Sequence, residues 1–272
     1  MIRKGGSGVE TVRIGMLIPS SNTVAGPVTN RLLHGVPGVS VHYARVRVTE
    51  IALSPASDAQ FAAGPMLEAA SLLADAGVRL IVWNGTAGSW LGIDHDRRLC
   101  EAIERGTGIP ATTSTMAILD AVRACGIRRL AIVTPYTADV NERIAAVYEG
   151  FGIRSAGAVG RGLTVNRSFA DLSEDEIVRM IGEAAAMPGA DGVAVVCTNM
   201  RGARAAAEAE RRLKVPVVDS VAVTVGHALR LAGYGGVRPE KNRGCISAGR
   251  RRGGQGTDWP ADAEVPGHCR RR

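Results

Sequence analysis

An α/β protein of two pseudo-symmetric halves, each a mostly parallel sheet flanked by helices with the active site in the cleft between them, is the fold class predicted by this 272-residue sequence. Three observations predict it. Short aliphatic runs alternate with longer amphipathic ones, the pattern of βαβ units. The same pieces also occur twice in the same order: RIGMLIPSSNT (13–23) matches RLAIVTPYTADVN (129–141), LIVWNGTAG (80–88) matches VAVVCTNMRG (193–202), and TGIPATTSTMAILDAVRACG (107–126) matches LKVPVVDSVAVTVGHALRLAG (213–233). Finally, hydrophobic residues make up 46% and aromatics only 4%, so the core is aliphatic, as in helix-covered parallel sheets.

Taken in order, the strands expected are 13–18, 39–46, 78–83, 129–134, 192–197 and 215–220. Each is a short apolar run bounded by polar or turn-forming residues. The helix expected over 65–77 puts Leu67, Ala70, Leu73 and Ala74 on one face. A second, 95–108, stops at a glycine. A third, 137–152, opens with Thr137 and Asp139, both capping types, and a fourth, 173–186, has acidic residues in its first turn to suit the helix dipole. The organisation expected is a flexible 1–11, a first α/β half over 12–120, a second over 121–234 with C-terminal helices free to cross between halves, and a disordered basic tail over 235–272.

The net charge of +7 at first suggests a polyanionic partner, but its position argues otherwise. Residues 235–272 hold nine Arg and Lys against four Asp and Glu, with eight glycines and no periodicity, so most of the excess belongs to the tail. A nearly neutral body predicts no nucleic-acid partner. No apolar run approaches the roughly 20 residues of a membrane span, so no membrane partner is expected. IGMLI near the N-terminus is too short for a signal-peptide core. Five cysteines without CxxC spacing and five scattered histidines give no metal site, and a cytoplasmic location fits them. No GxGxxG, Walker loop, HExxH or Ser-His-Asp pattern appears, so no cofactor is expected.

The repeat differs at one telling place. Where the second half has Cys197, the first has Gly85. A thiol at the carboxyl end of a strand, beside backbone N–H groups and the hydroxyl of Thr198, can give or take a proton; it is also a common buried core residue. Gly85, Thr86, Gly88 and Ser89 form a small, hydroxyl-rich turn suited to an anionic oxygen, or simply a strand-to-helix connection. PSSNT (19–23) and PYT (135–137) are similar turns, and four of them around one cleft favour a carboxylate ligand.

IPSSNT, WNGTAGSW, TPYTADVNER, VVCTN and RRLKVPVVDSVA resemble the maleate isomerase and arylmalonate decarboxylase branch of the aspartate/glutamate racemase superfamily, over about residues 12–234. The resemblance implies a cofactor-independent site between the halves. Racemases and isomerases of the superfamily have one cysteine from each half; the decarboxylase keeps the second and has glycine at the first. Gly85 and Cys197 match the one-cysteine arrangement. Cys197 is then the catalytic proton donor to an enediolate. The implied substrate and oxyanion pocket is Pro19, Ser20, Asn22, Gly85, Thr86, Tyr136, Asn166 and the Thr198 backbone. Two features depart from the decarboxylase. Ala87 replaces a serine, and Asn22 and Asn166 match polar substrate-binding positions of maleate isomerase.

The function expected is therefore a cofactor-free carbon-acid enzyme on a small carboxylate or dicarboxylate, with decarboxylation favoured. Maleate cis-trans isomerisation or racemisation is the alternative reaction. A non-catalytic carboxylate-binding protein is the alternative of a different class. A homo-oligomer is compatible with either. A thiol introduced at Gly85 is expected to add racemisation, provided the backbone φ there is negative.

Overall fold

The computed structural model describes residues 11–235. The flexible start and basic tail expected at 1–11 and 235–272 therefore lie, but for residues 11 and 235, outside the described residues.

The chain builds two four-stranded, wholly parallel sheets. The first contains β1 (Val12–Pro19), β2 (Val39–Val46), β3 (Leu80–Trp83) and β4 (Ala111–Thr113), in the order β2-β1-β3-β4. The second contains β5 (Arg129–Val133), β6 (Arg154–Val159), β7 (Gly192–Val195) and β8 (Val217–Asp219), in the order β6-β5-β7-β8. The two orders are equivalent, as the internal repeat predicts. In each sheet the two central strands end side by side: Leu17 pairs with Trp83, and Val133 pairs with Val195. Four loops thus leave the carboxyl ends of β1, β3, β5 and β7, where ligands collect in open α/β sheets.

The first half supplies α1 (Ala25–Leu33), α2 (Pro55–Ala59), α3 (Ala63–Asp75), α4 (Gly88–Leu91), α5 (Ile93–Thr107) and α6 (Ser114–Ala124). The second supplies α7 (Ala138–Glu149), a 3₁₀ turn over Asn166–Asp171, α8 (Glu174–Ala185), α9 (Gly202–Leu213) and α10 (Ser220–Leu231). On α3 the buried face is Met66, Ala69, Ala70 and Leu73, while Leu67 and Ala74 are only half-buried. The stripe is rotated from the expected one because Met66 and Ala69 pack on the sheet. Thr137 stands at the N-cap of α7 but makes no capping bond with its side chain, whereas Ser173 caps α8 by accepting from the Glu176 N–H.

Two helices exchange partners. Val225, Ala228 and Leu229 of α10 share a core with Val12, Ile14 and Met16 of β1 and Leu80 and Val82 of β3. Conversely, Ala117, Ile118 and Val122 of α6 belong to the core that contains Leu130, Ile132, Val193 and Val217 of the second sheet. The crossing is reinforced by a polar chain between α6 and α10. Thr112 Oγ1 lies 2.9 Å from His227 Nε2, His227 Nδ1 lies 3.0 Å from Asp120 Oδ2, and Arg230 donates to the same carboxylate.

Candidate active site

The strand alternation of β3 sends Leu80 and Val82 beneath α10 and turns Ile81 and Trp83 to the other face. From this end the chain runs through Asn84, Gly85, Thr86 and Ala87 into α4. From β7 it runs through Val196, Cys197, Thr198 and Asn199 toward α9. These two loops meet at a small cavity lined by Pro19, Val48, Ile51, Phe61, Trp83, Gly85, Thr86, Ala87, Trp90, Tyr136, Asn166, Cys197 and Thr198. A larger depression lies between α1, α8 and α9 and includes Arg31, Arg201 and Arg204. No thiol lines it, whereas Cys197 lines the smaller cavity.

Seven of the nine expected site residues, Pro19, Gly85, Thr86, Tyr136, Asn166, Cys197 and Thr198, line this cavity. Ser20 and Asn22 do not. The exposed Ser20 accepts from the Val48 N–H through its hydroxyl at 3.3 Å. Asn22 is buried, and its Oδ1 accepts from the Val24 and Ala25 N–H groups at the start of α1 while its Nδ2 donates to Thr198 Oγ1 at 3.0 Å. Asn166, though at the cavity, donates from Nδ2 to Ser21 Oγ at 2.7 Å, and its carbonyl accepts from Asn199 Nδ2 at 2.6 Å. Both asparagines therefore join the halves of the molecule to each other.

Cys197 is 2% exposed, and the Asn199 N–H donates to its sulfur at 3.4 Å. Burial pushes its thiol up to about 11, against the opposing pull of the Tyr136 side chain and the Asn199 and Met200 N–H groups; the Asp219 charge raises it further. The thiol is thus protonated at neutral pH. Tyr136 is pushed well above the ordinary phenol value by burial and stays neutral, with its Oη 3.4 Å from Thr86 Oγ1. Thr198 Oγ1 donates to the Asn84 carbonyl at 3.2 Å, which fixes the loop and leaves the Thr198 backbone as its contribution to the cavity.

Sequence reasoning missed the apolar wall: Val48, Ile51, Phe61, Trp83 and Trp90. Phe61, Trp83, Trp90, Tyr136 and Phe169 form a run of edge-to-face rings with centroids 5.4–6.5 Å apart. The signal was the scarcity of aromatics itself; these five are half of the ten aromatic residues in the chain, so their clustering marks a place with special needs. The wall holds no Arg, Lys or His. Among the described residues, no group of three or more His, Cys, Asp and Glu is placed to hold a metal ion.

Gly85 has a φ outside the left-handed region, so backbone geometry allows a side chain there. Space does not. A Cβ on Gly85 would come within 2.5 Å of the Trp83 ring. The indole occupies the volume where a first-half side chain would stand. The expectation that a thiol at position 85 needs only a negative φ is corrected by this contact.

The arylmalonate decarboxylase family model matches residues 40–243 of the chain. The chain is 30% identical over 227 residues to arylmalonate decarboxylase of Bordetella bronchiseptica, covering 83% of this chain and 92% of that protein. It is 23% identical over 244 residues to maleate isomerase of Alcaligenes faecalis, again covering 83% and 92%. A structure of unliganded arylmalonate decarboxylase superposes with a TM-score of 0.72 at 31% identity, covering 86% of this chain and 98% of that one. The maleate isomerase of Pseudomonas putida superposes with a TM-score of 0.70 at 23% identity, covering 81% and 92%, a likeness of fold.

Proposed function

The chain belongs to the arylmalonate decarboxylase family, and from that premise we propose that it decarboxylates an α-substituted malonate, with Cys197 as the proton donor and without a cofactor. The observation that carries this reading is a lone protonated thiol facing an apolar cavity that holds no side-chain cation.

One carboxylate of the substrate sits against Thr86 Oγ1, Tyr136 Oη and the Thr198 backbone N–H, next to the turn at Pro19. The other lies along the apolar wall. There its charge is poorly solvated, which favours conversion to neutral carbon dioxide. The electron pair of the breaking C–C bond passes into the first carboxylate and forms an enediolate. The hydroxyl and N–H donors stabilise the growing negative charge, each contributing about 2–4 kcal/mol. The Cys197 S–H proton then moves to the α-carbon, and the thiolate regains a proton from solvent. Ala87 supplies no hydroxyl to this pocket, so the oxyanion rests on fewer donors than the resemblance alone implies.

Isomerisation of a maleate-type substrate needs a thiolate to add to the double bond. A thiol held at about 11 is a poor nucleophile at neutral pH and a suitable acid. The engagement of Asn22 points the same way, because it lies off the cavity lining and is bonded to Thr198 and the start of α1.

The test is to assay aryl- and alkylmalonates, maleate and N-acylated amino acids with the protein in deuterated water. Deuterium at the α-carbon of a decarboxylated product is expected. Cys197→Ala should lower turnover by about 10²–10⁴ while binding of the acid product is retained. A Cys197→Ala variant within tenfold of the parent removes the thiol from the mechanism. Diacid binding without turnover in the parent favours a carboxylate-binding protein instead.

A further inference from the structure

Two residues that line the cavity, Trp83 and Trp90, each carry a buried indole N–H, at Nε1, with no hydrogen-bond partner. A buried N–H without an acceptor is unfavourable enough that a persisting one calls for a ligand. The two indoles differ in surroundings. Trp90 packs between two rings, meeting Phe61 and Tyr136 edge-to-face with centroids 5.7 and 5.5 Å away. The one ring paired with Trp83 is Phe61, with its centroid 6.5 Å away. Trp83 Nε1 also lies 2.8 Å from the place a Gly85 side chain would begin, on the wall of the cavity supplied by the first half. The other amides at hand, Asn22 and Asn166, are already bonded to protein groups.

We propose that the Trp83 indole N–H is a specificity-determining contact that accepts substrates with a neutral hydrogen-bond acceptor on the α-carbon, such as an α-hydroxyl or α-alkoxyl oxygen. The inference rests on the reading of this cavity as a carboxylate site. The acceptor is neutral because the wall carries no cation to balance a second charge, and one neutral N–H does not compensate for burying an anion. It is not the departing carboxylate, because a donor held on that group would stabilise the charge that must leave. It belongs to one face of the α-carbon only, so recognition is enantioselective.

The experiment measures calorimetric binding of two product-like anions of nearly equal shape, each enantiomer separately: mandelate, with an α-hydroxyl, and 2-phenylpropanoate, with an α-methyl. The proteins are the parent and Trp83→Phe, which keeps a ring and removes the N–H. One mandelate enantiomer should bind the parent about 5–10-fold more tightly than the matching 2-phenylpropanoate, the worth of one neutral hydrogen bond. In Trp83→Phe that ratio should fall to about one. In the parent labelled with ¹⁵N-tryptophan, the Trp83 indole resonance should move downfield with that enantiomer and not with 2-phenylpropanoate; this readout does not depend on the variant folding. If both anions bind without preference, if the preference survives Trp83→Phe, or if the indole resonance does not respond, the Trp83 assignment is overturned and the carboxylate site stands. If neither anion binds, the carboxylate reading of the cavity falls together with it.

Discussion

The pairing of Gly85 with Trp83 shows what one residue's neighbourhood adds to its identity. The repeat makes the glycine visible as the counterpart of Cys197, but the indole that covers it comes from two residues upstream, on a strand whose apolar run hides which ring faces the cavity. Gly85→Cys should therefore cost about 1–3 kcal/mol through overpacking against the ring and show little α-proton exchange. Gly85→Cys combined with Trp83→Leu should recover much of that stability and gain the exchange. Denaturant midpoints and deuterium uptake by an α-substituted arylacetate check both halves of the statement, and exchange in the single variant would contradict it. The thiol makes a second prediction. Burial raises it to about 11, so the protonated form that acts as acid is complete at neutral pH and is lost only as pH rises through that value. kcat/KM governed by Cys197 should stay level from neutral into mildly alkaline solution and fall beyond. A rate that climbs with pH over the same span would mark the thiolate as the working form and favour addition chemistry. Cys197, Thr86 and Tyr136 were legible because each follows a strand in a small-residue loop. Phe61 and Ile51 were not, because nothing near them in the chain repeats.

At the scale of elements, the six long apolar runs were readable as strands and the amphipathic runs between them as helices. β4 has only three residues and β6 reads RSAGAV, too short or too small in side chain to show a period. The junctions after β4 and β8 repeat a device. Thr113 caps α6 by accepting from Met116 N–H, and Asp219 caps α10 by accepting from Ala222 N–H at 2.9 Å. The second carboxylate oxygen of Asp219 has no partner and rests against Gly202 at the start of α9, where a side chain would collide with it. Burial raises Asp219 to about 7 despite the Ala222 and Val221 N–H groups. The folded-state value is above the unfolded one, so its contribution to stability is complete below the ordinary carboxylate range and is lost as pH rises through about 7. Asp219→Asn cannot ionise, and it should remove a pH-dependent loss of at least about 1 kcal/mol between acid and mildly alkaline solution. Urea unfolding of both proteins across that range tests it; parallel curves would show that Asp219 is ionised at no cost. The same change should ease the Cys197 proton off slightly earlier, because the Asp219 charge is one of the influences that hold it on.

For the whole molecule, the internal repeat revealed two halves, but it could not reveal which sheet each helix would cover. That depends on the docking of α6 on the second sheet and α10 on the first, contacts between residues about a hundred positions apart. Residues 12–126 and 127–234, divided after α6, should accordingly stay unfolded when produced separately, since each would expose an apolar sheet face, and should regain structure when mixed. Far-ultraviolet circular dichroism of each piece and of the mixture decides it; a cooperative melt from either piece alone would mean that the exchange is dispensable. A strap joins the halves on another side: Ile51 N–H donates to the Thr164 carbonyl, Asn166 N–H donates to the Thr49 carbonyl, and Glu50 bridges Val165. With helices interlocked behind the cavity, the strap ties the two lobes together on a second side. The strap lies beside the cavity, whose lining includes Val48, Ile51 and Asn166. A disulfide stapling 49–51 to 164–166 should therefore lower turnover without touching the thiol if substrate enters by lifting the strap, and leave it unchanged if the strap stays closed.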